Sequence, residues 1–274
     1  MDGTQATRWN GHAGTAWVDA QELLDGLLAP FDELILDAVP SGSGSRVLDV
    51  GCGTGATTVA IARRLDASGH ALGVDVAEQM VAAARSRAER AGVPASFVVA
   101  DAQRHPFEAG GFDVIVSRFG VMFFDDPVRA FANLRRAAGD GAALRFVAWR
   151  GIDENPFMTT AERAAAPLLP GLPERRPDAP GQFGLADPDR VRRILAESGW
   201  TEADVRPVDV PCTMPVSELE GYVSRMGPVG AALREVDEPT RARVVEVLRD
   251  AFAPYVHGAE VRYTAACWQV SAGR

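Results

Sequence analysis

Val47-Leu48-Asp49-Val50-Gly51-Cys52-Gly53-Thr54-Gly55 decides how this 274-residue chain is read. A short apolar, β-branched run breaks into alternating glycines and then into a helical pattern from Ala56 to Leu65, which predicts strand, tight turn and helix. Glycine belongs at such a turn because the backbone takes unusual angles there and because a ligand approaching the main chain would collide with a Cβ. The helix that follows offers unpaired N–H groups to whatever lies at its start. Dinucleotide turns favour G-x-G-x-x-G, whereas Asp49 to Gly55 reads D-x-G-x-G-x-G.

The chain beyond this turn repeats the alternation. His70 to Val76 reads as a second strand with Asp75 at its tip, 20 residues beyond Gly55, where a carboxylate can accept hydrogen bonds from vicinal ribose hydroxyls. A helix from Ala77 to Ala91 stops at Gly92. A third strand, Ala95 to Ala100, ends in Asp101-Ala102, and a fourth, Phe112 to Val116, ends in Ser117-Arg118. In a doubly wound sheet the carboxyl ends of these strands open into one crevice. Above it comes the apolar run Phe119 to Phe124. A helix from Pro127 to Ala138 follows, with Asp125 and Asp126 as N-capping candidates, then the glycine stop Gly139-Asp140-Gly141 and a fifth strand, Ala143 to Trp149.

The glycine spacing and this order of elements resemble the class I S-adenosylmethionine-dependent methyltransferases, strongly over residues 44–150 and in outline elsewhere. The resemblance implies a seven-stranded α/β Rossmann-like sheet with an antiparallel last strand. It also implies that S-adenosyl-L-methionine binds against Gly51, Cys52, Gly53, Gly55, Asp75, Val76, Met80, Asp101, Ala102 and Ser117, with Trp17 reaching over from the N-terminal helices; S-adenosyl-L-homocysteine is the product. Metal-dependent members carry carboxylates where this chain has Ser117, so no metal is expected. The acceptor side is assigned to Trp9, Arg118, Phe119, Met122, Tyr222 and Met226. For a hydroxyl acceptor that needs a base, His12 and His105 are the histidines near the cleft.

Composition bounds the partners. A formal charge of -9 and the lack of a basic stripe oppose a nucleic-acid surface and leave a small-molecule methyl acceptor. All 28 basic residues are arginine, which removes a lysine Schiff base and a P-loop lysine from consideration. Cys52, Cys212 and Cys267 have no C-x-x-C spacing, so neither a disulfide framework nor a zinc site is indicated. With no leader pattern and no long apolar run, the expectation is a cytoplasmic protein without a membrane partner.

The remainder is expected to complete a single domain over residues 1–274: an N-terminal helical cap at 1–43, the cofactor core at 44–150, the rest of the sheet within 151–210 and 259–274, and a helical lid at 211–258. Residues 156–188 are proline-rich and predict a loop with short helices, including one from Thr159 to Ala166. A helix from Asp187 to Ser198 and strands at Asp204 to Val210 and Arg262 to Val270 follow. A homodimer is the alternative use of the lid helices. Three other functions share these features: a nicotinamide-dependent oxidoreductase, an adenosylmethionine-binding enzyme that catalyses a cyclisation or elimination without methylating, and a non-catalytic binding protein.

Overall fold

The computed structural model describes residues 4–175 and 179–274; residues 176–178, which include Pro177 of the proline-rich section, and residues 1–3 lie outside it. Its strands are β1 (Arg46–Val50), β2 (His70–Asp75), β3 (Ala95–Val99), β4 (Phe112–Arg118), β5 (Ala138–Trp149), β6 (Thr201–Pro215), β7 (Val256–His257) and β8 (Glu260–Gly273). They form one mixed sheet in the order β3-β2-β1-β4-β5-β8-β6. The first five pair in parallel, with Asp49 beside Gly73 on one flank and Val116 on the other. The last long strand, β8, runs antiparallel to both β5 and β6. The expected seven-stranded Rossmann-like sheet with an antiparallel last strand is therefore present, with an eighth strand of two residues, β7, paired to β8 off the main path.

Several boundaries differ from the sequence reading: β8 runs Glu260–Gly273 and not Arg262–Val270, the helix expected at Thr159–Ala166 is Pro156–Ala165, and two further differences have clear causes. Gly139-Asp140-Gly141 does not separate helix from strand: the helix ends at Ala137 and β5 starts at Ala138, which pairs with Phe112 before the register shifts, and Gly141 at φ +74° lets the chain stay in plane through this irregularity. Strand β6 continues to Pro215 instead of ending at Val210, with Pro211 facing Thr264 and Pro215 facing Glu260. An edge strand tolerates proline because one side has no ladder to donate to. The helical insertion consequently begins at Val216 and runs through Val216–Arg225, Gly227–Ala232 and Glu238–Phe252.

Helix starts follow local chemistry. Asp126, Asp187 and Asp237 each accept a backbone N–H two or three residues on, from Arg129 at 3.0 Å, Asp189 at 2.9 Å and Thr240 at 2.9 Å, and proline is the first or second residue of each helix. The principal core covers the sheet with Leu48, Ile115, Phe131 and Phe146 fully buried. A second apolar cluster joins cap to insertion: Leu24 and Leu27 from the N-terminal helices pack with Phe157, Val223, Leu248 and Phe252. Among the described residues no helix is long and apolar enough to cross a membrane.

Candidate active site

The carboxyl ends of β1, β2 and β4 meet under a cavity of about 880 Å³. On one side the glycine turn builds its wall. Gly51 sits at φ +70°, and a Cβ there would lie 2.7 Å from the Cα of Gly120, so the turns after β1 and β4 approach as closely as two glycines allow. Gly53, at φ +53°, has free space instead: its nearest neighbour to an added Cβ is the Met80 sulfur at 3.9 Å, and that space belongs to the cavity. The N–H of Gly53 donates to Asp75 Oδ2 at 2.9 Å while Ala77 donates to Oδ1 at 2.9 Å, so the turn and the tip of β2 hold the carboxylate in one orientation. Burial raises the Asp75 pKa, opposed by the bonds from Ala77 and Gly53. Cys52, Val76, Met80, Asp101 and Ala102 also line the cavity. Asp101 accepts two bonds from Gln103, at 3.0 Å from its backbone and 3.1 Å from its amide. The Cys52 thiol is buried, which pushes its pKa up, so it is not a thiolate.

Two residues expected at the cofactor do other work. Gly55 is outside the cavity; at φ +83° it caps the following helix, and a Cβ there would strike Ala84 at 2.8 Å, so its glycine serves helix packing. Ser117 is buried behind the wall, where its hydroxyl donates to Val50 O at 2.7 Å and accepts from Gly120 and Val121 at 3.1 and 3.2 Å. It ties β1 to the turn after β4 and has no face on the cavity.

Asp49 closes the floor. It is 1% exposed, accepts from the Thr58 hydroxyl at 2.6 Å, and burial pushes its carboxyl up to about 6. Nearby, Arg118 donates to Asp32 Oδ1 at 2.6 Å and to Leu28 O at 3.2 Å, which fastens the N-terminal helices to the end of β4. Arg118 therefore lines the cavity already engaged in a structural ion pair.

The opposite side is aromatic. Phe119 adopts φ +62°, a left-handed angle that costs on the order of 1 to 3 kcal/mol for such a residue. Its N–H bonds Val147 O at 3.1 Å, and its ring stacks on Trp149 at 4.3 Å and 8° and meets the edge of Phe31 at 4.9 Å. These contacts hold the strained turn and present Phe119, Met122 and Trp149 to the cavity. Trp9 packs edge-on to Trp17 at 5.8 Å and to Phe123 at 5.3 Å. Tyr222 and Met226 line the far wall with Phe157 and Tyr263, whose rings stack at 3.8 Å and 2°. Burial raises the Tyr222 pKa to about 12 and that of Tyr263 further, so both are neutral hydroxyls near neutral pH.

Neither expected base reaches this space. His12 is exposed, with Nδ1 2.9 Å from Arg234 Nη1, and the His105 ring lies edge-on to Phe107 at 4.7 Å; neither lines the cavity. The short helix starting at His12 turns that side chain outward, and the turn after Asp101 packs His105 under its own loop. Among the described residues no group of three or more His, Cys, Asp or Glu side chains could hold a metal ion.

Asn10 was absent from the expected set. Its amide donates to Val76 O at 2.8 Å and accepts from Glu78 N at 2.9 Å, tying the first N-terminal helix to the backbone just after Asp75. Nothing in sequence periodicity marks it. Trp149, by contrast, stands at the carboxyl end of a strand in the same crevice and was findable by that rule.

Comparison with known proteins agrees with this geometry. A family model described as a methyltransferase domain matches residues 47–141. Aklanonic acid methyltransferase DauC of Streptomyces sp. strain C5 is 32% identical over 156 residues, 55% of this chain and 70% of that protein. Demethylmenaquinone methyltransferase of Renibacterium salmoninarum is 26% identical over 181 residues, 63% of this chain and 73% of that one. Phosphoethanolamine N-methyltransferase 2 of Haemonchus contortus, solved with phosphomonomethylethanolamine and S-adenosylhomocysteine, shares the fold with a TM-score of 0.59 at 16% identity, over 97% of this chain and 60% of that one. The glycine turn, the locked carboxylate after β2, the sheet order and these relatives lead to one assignment, which displaces the nicotinamide alternative: the chain belongs to the class I S-adenosylmethionine-dependent methyltransferases.

Proposed function

We propose that this methyltransferase acts on a small, partly apolar molecule bound in the aromatic half of the cavity, with the cofactor in the glycine half. The observation that carries the reading is the continuity of the two halves in one space of about 880 Å³, within the ~300–1,000 Å³ of ligand sites.

The residues fit adenosylmethionine. The space beside Gly53 is one that a side chain would fill, and the Asp75 carboxylate, fixed by two backbone donors, lines the same wall. Asp75 would take the ribose hydroxyls, Gly51 to Gly53 the amino-acid portion, Met80 and Val76 the faces of the adenine, and Asp101 with Ala102 its edge. When bound, the cofactor supplies a sulfonium methyl group to a nucleophilic acceptor atom. The protein's share is orientation and exclusion of water: Trp9 and Trp17 cover from the cap, Phe119 and Met122 stand between the halves, and Tyr222 and Met226 close from the insertion. In this reading residues 1–43 are the cap, 44–150 the cofactor core and the helices from Val216 onward the lid, and the shared apolar cluster of Leu24, Leu27 and Val223 supports cap and lid acting as one wall.

With both histidines off the cavity, the acceptor is one whose reacting atom is nucleophilic without a histidine base. The names of the two curated relatives give aklanonic acid and demethylmenaquinone as what those proteins methylate, which supports an organic small molecule here. The test is transfer of labelled methyl from S-adenosylmethionine across a panel of apolar acids, phenols and quinols. Label in an apolar product together with S-adenosylhomocysteine is the expected result. Tight cofactor binding with product formed but no label transferred would instead favour a non-methylating reaction.

A further inference from the structure

The aromatic half carries positive charge that orientation and water exclusion do not use. Gln5, Arg8 and Trp9 stand at i, i+3 and i+4 of the helix Thr4–Asn10, so they share one face, and all three line the cavity. The Arg8 guanidinium lies 5.7 Å from the Trp9 ring centre and 5.8 Å from that of Phe123. Those rings support it through their faces, but no carboxylate or hydrogen-bond acceptor meets it among the described residues. Arg8 is exposed at the mouth of the cavity; partial desolvation there lowers its pKa, and the neighbouring charge of Arg175 lowers it further.

Arg175 lines the cavity from the opposite segment. It gives Nε and Nη2 to the two oxygens of Glu162 at 2.8 and 2.5 Å, and Nη2 also to Gln182 Oε1 at 3.3 Å. Its Nη1 has no partner among the described residues. Glu162 thus spends both oxygens on Arg175, and the pair of guanidiniums keeps one uncompensated positive charge. Two like charges facing one cavity repel, and the repulsion turns into attraction when an oxyanion lies between them. Besides Glu162, the carboxylates lining the cavity are Asp49, Asp75 and Asp101 at the strand ends, Asp25, which is paired with Arg87, Asp187, which caps a helix, and Glu174. None of these carboxylates forms an ion pair with Arg8 among the described residues.

We propose that the methyl acceptor carries a carboxylate, held by Arg8 and by Nη1 of Arg175 while its apolar body lies among the rings of Trp9, Phe123 and Phe157. The proposal rests on the reading of the aromatic half as the acceptor site. Gln5, whose Oε1 is buried without a partner, is the adjacent acceptor for a donor group on the same ligand.

The test uses two probes of the same shape, naphthoate and naphthamide, titrated calorimetrically into the full chain saturated with S-adenosylhomocysteine. The expected result is that naphthoate binds at least about tenfold tighter than naphthamide. Arg8→Gln should erase that preference and Arg175→Gln should reduce it, with naphthamide and S-adenosylhomocysteine affinities unchanged in both. Equal affinity for the two probes in the parent protein, or a preference that survives Arg8→Gln, overturns the carboxylate site and leaves the apolar acceptor site standing. Failure of both probes to bind while S-adenosylhomocysteine binds normally overturns both readings together.

Discussion

The two halves of the cavity are built by opposite means. In the half proposed for the cofactor the polar groups belong to the backbone or are locked by it: Gly53 N–H and Ala77 N–H fix Asp75, and the Gln103 main chain and amide fix Asp101. In the half proposed for the acceptor the wall is made mostly of rings delivered from the N-terminus, β5, the helix Pro156–Ala165, the insertion and β8, and its contacts include ring stacks such as Phe157 on Tyr263. A turn that needs glycine tolerates little change, whereas a wall of packed rings can be rebuilt one residue at a time. On the proposed assignment, the cofactor half is the one that resists substitution and the acceptor half the one that can be reshaped.

The sharpest way to break this comparison is Gly53→Val. A β-branched residue at φ +53° is strained and fills the cofactor space, so affinity for S-adenosylhomocysteine should fall at least about a hundredfold while the protein stays folded, as calorimetry and circular dichroism together would read. Normal affinity would mean that the glycine turn does not hold the cofactor. Asp75→Ala comes next, at about 1.5 to 3 kcal/mol of cofactor binding, since a charge-assisted contact is lost and two backbone donors lose their acceptor. Unchanged affinity there would remove the ribose role.

A stability measurement separates the floor from the walls. Because burial holds Asp49 near 6 in the folded protein, the folded chain keeps a proton that the unfolded chain has already released. Its contribution is neutral below about pH 4, becomes unfavourable as pH rises to about 6, and is fully unfavourable above. Asp49→Asn should remove roughly 2 kcal/mol of that decline, seen as a flatter pH dependence of urea unfolding between about pH 4 and 6. An identical pH profile in both proteins would place the titration elsewhere. The smallest expected effect is on the other side: Met226→Ala should lower kcat/KM for the acceptor about tenfold and leave S-adenosylhomocysteine affinity within about twofold. Equal losses in both would deny the division into halves.

That division also explains what was legible in the sequence. The glycine spacing, Asp75 and the strand order were readable because each is a local rule: a turn that demands left-handed angles, a carboxylate at a strand tip, an alternation of periods. Ser117 and Gly55 were legible as motif positions but not in their orientation, since the hydroxyl of one faces Val50 and the open side of the other faces Ala84. Asn10 and Tyr263 were not legible, because their meaning comes from partners 66 residues away at Val76 and from a ring brought by the helix Pro156–Ala165. The same holds for His12, whose side chain is claimed by Arg234 of the insertion.

A crystal structure with S-adenosylhomocysteine tests the central claim, the assignment of the two halves, most directly. The ribose hydroxyls should lie within hydrogen-bond distance of Asp75 and the backbone of Gly51 to Gly53 should run along the amino-acid portion, with the sulfur turned toward Phe119, Met122 and the ring-lined space beyond. An adenosyl group seated among Phe157, Tyr222 and Met226, with Asp75 untouched, would contradict it.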